Sequence, residues 1–597
     1  MHKADTLTAN QFAKKNKYMT LTIPFKYYPL CLFALVACKG SSKTEVKPVT
    51  TDTATTKVIT PQTDPAIAKS AGFFLDDWAA KTFTLPASAD AAKPTGNTTV
   101  TINVDYSKVI TKVSKYLFGN NTNPYMSQIV TEPVLLGNIK TLSPNILRFP
   151  GGNVSSVYFW DGIIPADAPA SLYDSNGNSV APGYWLGNNT AGWTLTLDNY
   201  YSALQQTNST GIITVNYSYA RYGTSAHPDQ VAAHLAAQWV RYDKGRTKYW
   251  EIGNESGGPW QAGWQIDVSK NQDGQPKIIT GELYGKHFKV FADSMQKAAT
   301  EIGSQIKIGA QLVQTDPVNA WNVVDKTWNS GLFASAGGTA ADFYIVHDYF
   351  TGSDNENAAT ILASPVTESK LIMDWMNTTT TQGGVPLKPI ALTEWNLFAT
   401  GSKQMVSYIS GMHATMVLGE LIKNQFGMAS RWDLANGWGP NGDDHGMFNQ
   451  GDEPDGVSKW NPRPSFYYMY FFQKYFGDRM VSSTVTSSSD VLSYASSFTS
   501  GEAGVVVVNK GSSAQTVSIN LSNFAAGSRY YYYTFTGGTD NGEFSRKVYI
   551  NGNGPTGAAG GPANFLTLAA SSATISGGIK VSVPAKSVIF LVAQGKK

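Results

Sequence analysis

The sequence predicts an α/β fold: a closed (β/α)8 TIM barrel followed by an all-β sandwich. Three observations carry this. Eight short apolar runs recur between longer segments of helical patterning, the alternation of a parallel barrel. Beyond about Val481 the helical period vanishes and short strands follow one another, separated by Ser, Gly, Asn and Pro clusters. The chain has 597 residues, 42% of them hydrophobic and 12% aromatic, which is enough for two sizeable cores.

Taken in order, the first 37 residues hold five lysines, then the apolar run YYPLCLFALVA and Cys38. A charged region, a hydrophobic stretch too short to span a bilayer and a small-residue cleavage site make a secretory signal. Leu35-Val36-Ala37-Cys38 resembles the bacterial lipobox, which implies cleavage before Cys38 and lipid attachment to its sulfur. The expected location is therefore exported and lipid-anchored to a bacterial membrane, the outer membrane on its periplasmic or surface face. The only other cysteine is Cys31, so the processed chain has no disulfide. The formal charge of +3 resides in the leader, and the remainder is close to neutral, which gives no reason to expect nucleic acid as a partner.

Residues 38–96 read as the lipidated cysteine, a Thr/Lys/Pro/Val tether and a docking segment carrying Phe73, Phe74, Leu75, Trp78 and Phe83. Residues 97–115 alternate apolar and polar side chains as a half-exposed strand does, and this strand is expected to join the sandwich. Residues 116–480 form the barrel. Its strands are YLFGNN from Tyr116, NILRFPGG from Asn145, GIITVNY from Gly211, KYWEIGNE from Lys248, IKIGAQLV from Ile306, DFYIVHDYF from Asp342, PIALTEWN from Pro389 and MASRWDL from Met428. Between them, the helix starting at Pro228 is expected to place Val231, Leu235 and Trp239 on one face, and a long amphipathic helix starts at Glu282. Residues 481–597 are the sandwich.

Two of the eight runs end in a carboxylate: Glu255 after the fourth and Glu394 at the seventh. The C-terminal ends of barrel strands are where such enzymes keep catalytic groups. Two carboxylates converging there suit acid/base and nucleophilic work on a glycosidic bond. No HExxH or clustered His/Cys spacing occurs among the seven histidines, so no catalytic metal and no cofactor is expected.

LRFPGGN (147–153), KYWEIGNE with GPWQ (258–261), the pair His347 and Tyr349, and TEWN (393–396) resemble clan A of the glycoside hydrolases, most closely family 51, the α-L-arabinofuranosidases. The resemblance implies that Glu255 is the general acid/base and Glu394 the nucleophile of a retaining reaction, with Glu255 protonated while Glu394 is ionised. It further implies that Asn254 meets the sugar 2-hydroxyl, Tyr349 holds Glu394, Arg148 supports the nucleophile from beneath, and Asn153 meets a sugar hydroxyl. His347 is expected to pack or hydrogen-bond at the site, and Trp260, Trp395 and Trp432 to stack on substrate, with flooring of the pocket as core an equal reading for Trp432. That family has a sugar-binding Glu four residues after the first-strand glycine. Here the position is Asn123, a departure that leaves the sugar open. The partner expected is a plant or algal polysaccharide or its oligosaccharides. An endo-acting clan A enzyme of the agarase or xylanase type and a non-catalytic glycan-binding lipoprotein are the alternatives.

Overall fold

A computed structural model describes residues 59–397 and 401–596. The expected signal peptide, the expected lipidation site Cys38 and most of the expected tether lie outside the described residues.

Eight parallel strands close a barrel. They are β1 (Gly119–Asn121), β2 (Ile146–Phe149), β3 (Thr210–Val215), β4 (Tyr249–Ile252), β5 (Lys307–Gln311), β6 (Phe343–Tyr349), β7 (Ile390–Asn396) and β8 (Met428–Arg431). Each falls on one of the eight apolar runs, the third beginning one residue ahead of its run, at Thr210. β8 pairs with β1 to complete the ring. Alternate side chains sort cleanly. Leu147, Ile213, Trp250, Ile308, Tyr344, Leu392 and Ala429 face the helices, while Ile146, Ile212, Tyr249, Phe343, Ala391 and Met428 fill the lower lumen.

The segment carrying Phe73 and Phe74 closes the lower mouth. Phe74, 1% exposed, belongs to the lumen cluster with Tyr116, Tyr249 and Phe343. Its ring centroid lies 5.2 Å from Tyr249 and 5.6 Å from Phe343. The aromatic density visible in the sequence is thus a plug for the barrel's N-terminal end.

The helix Pro228–Asp243 begins at its proline, but its buried face is not the expected one. Ala232, Ala233, Ala236, Ala237, Trp239 and Val240 are buried, whereas Val231 is exposed. Trp239 alone of the predicted trio is fully buried. The four alanines are small enough for close helix packing, and this helix packs against its neighbour Gly281–Glu301.

The C-terminal strands build one continuous eleven-stranded mixed sheet that wraps its own core of Val505, Val507, Val581, Ile589 and Leu591. Strand Val100–Lys112 lies inside this sheet, antiparallel to Arg479–Thr486 and parallel to Gln515–Ser522. Two pairings escape the sequence pattern. Arg479–Thr486 is rich in Ser and Thr, and Ser88–Asp90 pairs with Ala570–Thr574 without any large apolar residue. The barrel helix Pro464–Tyr475 packs its aromatic face on this sheet, with Phe471 against Tyr533, Phe535 and Phe590.

Candidate active site

Above the aromatic plug, the lumen changes character within one pleat. Arg148, two residues beyond Ile146 on β2, is 0% exposed and surrounded by four acceptors. Its Nε donates to Glu251 Oε2 at 2.6 Å, Nη1 to Asn121 Oδ1 at 3.0 Å and to Glu394 Oε2 at 3.1 Å, and Nη2 to Asn254 Oδ1 at 2.7 Å. A buried guanidinium with its donors met in this way is a rigid fork. Burial opposes the charge, yet Glu251 and Glu394 beside it raise the Arg148 pKa. Glu251 was not read from the sequence. Burial is the largest influence and works to raise its carboxyl, but Arg148, His347, Thr393 and Thr214 together hold it below its usual value, Thr214 donating at 2.7 Å.

The strand ends aim the acids. β4 stops at Ile252, and Gly253 turns the chain with φ of +81°. A Cβ there would sit 2.6 Å from both Gln311 Nε2 and Ser256 Oγ, so the turn requires glycine. Gln311 secures it by accepting from Ser256 N at 2.8 Å and donating to Ile252 O at 2.6 Å. Glu255 itself adopts φ of +45°, a left-handed conformation that costs a non-glycine residue about 1 kcal/mol or more. The acid is thereby turned back over the lumen.

Glu394 arrives by a different device. The pairing of β6 with β7 slips between Val346 and His347, and that of β7 with β8 slips between Leu392 and Trp395. The irregularity lets successive residues Thr393 and Glu394 both reach the site. Thr393 Oγ1 meets His347 Nε2 at 3.2 Å, and Glu394 Oε1 accepts from Tyr349 Oη at 2.5 Å. Trp395 then points outward. It is 0% exposed and packed in the layer between barrel and helices, which corrects its expected role as a stacking platform.

The two carboxylates meet around one imidazole. His347 Nδ1 lies 3.0 Å from Glu255 Oε1 and 3.6 Å from Glu394 Oε2. One ligand-capable atom from each of Glu255, His347 and Glu394 falls within 4.8 Å of the others. Such a trio could hold a metal ion, but its carboxylate oxygens already face donors from Trp260, Tyr349 and Arg148. A carboxylate pair bridged by an imidazole accounts for the spacing by itself.

Electrostatically the pair is asymmetric. Burial raises Glu394, and the Glu255 charge adds to it beyond what His347, Arg148 and Tyr349 offset. Burial also works to raise Glu255, but the bond and charge of His347, the Trp260 N–H and Arg148 leave it below its ordinary value. The two carboxyl groups are shifted in opposite directions by these surroundings, so they titrate as a pair.

The remaining expected residues are placed as follows. Asn254 is 1% exposed. Arg148 fixes its Oδ1, and its Nδ2 has no hydrogen-bond partner among the described residues, which leaves a donor for a ligand. Asn153 is exposed and reaches the acid only through Gln261, whose Nε2 donates to Asn153 Oδ1 at 2.9 Å and to Glu255 Oε2 at 3.4 Å. Gln261 was quoted in the GPWQ motif without a role. Trp260 donates to Glu255 Oε2 at 2.6 Å and remains 47% exposed. Trp432 is nearly buried across the Gly151–Gly152 turn. A Cβ on Gly152, φ of +57°, would lie 2.5 Å from its ring.

Sequence reasoning also missed Asp433, which is 0% exposed just past β8. Asn123, standing at the departure noted above, donates to its Oδ2 at 2.6 Å, while Oδ1 has no hydrogen-bond partner among the described residues. Burial and the charge of Asp444 push the Asp433 pKa well above the usual carboxylate range. The loop holding Asp444 and His445 is built in and not solvated. Asp444 pairs with Arg463 at 2.8 Å, and the His445 ring packs edge-on against Tyr349.

With this geometry established, known proteins can be set beside it. Residues 138–351 match the family model of the alpha-L-arabinofuranosidase 1 domain, a stretch that contains Glu255 and ends before Glu394. A probable alpha-L-arabinofuranosidase C from Aspergillus terreus is 25% identical over 304 residues, 47% of this chain. The chain spans about half (54%) of that relative's length. The alpha-L-arabinofuranosidase of Thermotoga maritima, solved as an arabinose complex, shares the fold at a TM-score of 0.55 and 20% identity, covering 83% of this chain and 100% of its own. CelM2, a bifunctional glucanase-xylanase from a metagenome library, does so at 0.55 and 15% identity, covering 84% of this chain and 100% of its own. The match to the family model covers part of the chain only, and the likeness to these solved structures is one of fold.

Proposed function

We propose that this chain is a retaining glycoside hydrolase, α-L-arabinofuranosidase-like, acting by double displacement on a plant or algal polysaccharide. One observation supports this above the others. Carboxylate oxygens of Glu255 and Glu394, far apart in sequence, lie within 4.8 Å of each other. Retaining chemistry uses carboxyl groups about 5–5.5 Å apart, whereas inverting chemistry needs about 6.5–9.5 Å to admit water.

In this reading Glu394 attacks the anomeric carbon, held in line by Tyr349 and Arg148. Glu255 gives its proton to the departing glycosidic oxygen, and in the second step it takes one from the water that cleaves the glycosyl-enzyme. Asn254 Nδ2 donates to the hydroxyl next to the reacting carbon. His347 lies within 3.6 Å of both acids, in position to pass a proton between them. The test is proton NMR of the first product released from an aryl α-L-arabinofuranoside. The retained anomer is expected, and the inverted anomer would overturn the reading.

The chain is further proposed to be an exported lipoprotein anchored through Cys38. Radiolabelled palmitate should be incorporated into the expressed protein and lost in Cys38→Ser. Labelling that survives the substitution would remove the anchor.

A further inference from the structure

The loop that follows β8 is gripped from outside the barrel. His445 lies in it, and its ring packs edge-on against Tyr349, with centroids 5.8 Å apart and planes inclined by 72°. Tyr349 is the residue whose hydroxyl donates to Glu394. Both chain neighbours of His445 are held by one guanidinium. Arg463 donates from Nη1 to Gly446 O at 2.7 Å, and its Nη2 lies 2.8 Å from Asp444 Oδ2. Asp444 Oδ1 closes the loop by accepting from Gly446 N at 2.6 Å.

Arg463 is itself steered. Its Nε donates to Glu453 Oε2 at 3.0 Å, while Glu453 Oε1 accepts at 2.7 Å from Nη1 of Arg546. Arg546 belongs to the C-terminal β region, two residues before its strand Val548–Ile550. Four charges of alternating sign thus run from the β region to the loop, and the side chains of the inner three, Glu453, Arg463 and Asp444, are at most 1% exposed. The ring of Trp438, on the same loop, faces both guanidiniums, 5.6 Å from Arg546 and 5.7 Å from Arg463. In a buried chain of this kind each charge is tolerated because of its neighbours, so removing the outermost one disturbs those within. Burial pushes the Asp444 carboxyl up to about 7 and Arg463 is the chief group opposing it, so the state of the loop depends on where that guanidinium stands.

We infer that Arg546 is a positioning residue for the nucleophile, acting through Glu453, Arg463 and the His445 loop on the bond between Tyr349 and Glu394. The barrel supplies the reacting groups, and the β region sets the loop against which Tyr349 rests. This inference rests on the glycosidase reading and goes beyond it, because it gives the β region a part in turnover as well as in stability.

Support without positioning would lower stability and leave turnover per folded molecule alone, so the experiment reads kcat on an aryl α-L-arabinofuranoside. Arg546→Ala should lower kcat about fivefold with KM nearly unchanged, and Arg546→Lys, which keeps the charge, should recover most of the loss. Tyr349→Phe breaks the last link, so adding Arg546→Ala to it should cost nothing further. Glu453→Gln keeps the shape and removes the charge between the two guanidiniums; it should repeat the loss, and it serves where the alanine variant does not fold. An unchanged kcat in folded Arg546→Ala or Glu453→Gln, or losses that multiply in the double variant, overturns the positioning role alone. A parent protein inert on the glycoside overturns the glycosidase reading and the positioning role with it.

Discussion

The two halves of the barrel lumen are made by the same strands and differ by a single step of the pleat. On β2, Ile146 faces the lower half and Arg148 the upper; on β4, Tyr249 and then Glu251 do the same. The lower half is an apolar core plugged by Phe74, and the upper half is a buried network of one guanidinium and three carboxylates. Burial stabilises the first and opposes the second. The lower half therefore works as the foundation, and the upper half holds charges that would not remain buried without each other.

Substitutions should separate the two halves. The largest effect expected is at Glu394→Ala, where turnover should fall on the order of 10⁴-fold or more while the melting temperature stays close to the parent's. An unchanged turnover number would remove the nucleophile. Phe74→Ala should do the converse, destabilising by about 3–5 kcal/mol in thermal or denaturant unfolding with little change in turnover per folded molecule. A loss of turnover without a loss of stability would break the division of labour. Glu255→Ala should reduce rates roughly 10²–10⁴-fold on substrates with poor leaving groups and far less on activated aryl glycosides. Equal losses on both would count against an acid.

Two smaller effects sharpen the electrostatics. His347 holds Glu255 low by its bond and charge. In His347→Gln the Glu255 anion loses that stabilisation, its pKa rises, and it keeps its proton to higher pH. The alkaline limb of the kcat/KM profile should then move to higher pH. A downward move would reverse the assignment. Asp433 has the opposite linkage to an ordinary paired carboxylate. Its folded pKa lies above its unfolded value, so its contribution is fully present below about pH 3.9 and declines as pH rises toward the folded pKa. Asp433→Asn should therefore raise the melting temperature at pH 7 relative to pH 3. If the ionised carboxylate is needed by the sugar, the same substitution should also raise KM.

How much of this was legible in the sequence follows the same division. The eight strands were, because apolar runs ending in polar clusters are local signals. Glu255 and Glu394 were legible through their positions at strand ends. Glu251 was not, since a charged residue inside a strand reads as the solvent half of an alternation, and the partner that explains it, Arg148, lies 103 residues away. Trp395 was misplaced because a stacking role was assigned from its neighbour, whereas adjacent residues of a strand face opposite sides. The helix face at Pro228–Asp243 was misread because alanine carries little hydrophobic signal even where close packing depends on it.

The strand Val100–Lys112 has a consequence for how this molecule can be taken apart. Sandwiched between Arg479–Thr486 and Gln515–Ser522, it is threaded into the middle of a sheet whose other members come mainly from the far end of the polypeptide. Excising residues 481–597 as a free unit would open a gap with two bare edges and strip the Phe471 helix from its seat. The β region is thus a sewn-in buttress and not a detachable bead, and grafting it elsewhere would require carrying the N-terminal thread along.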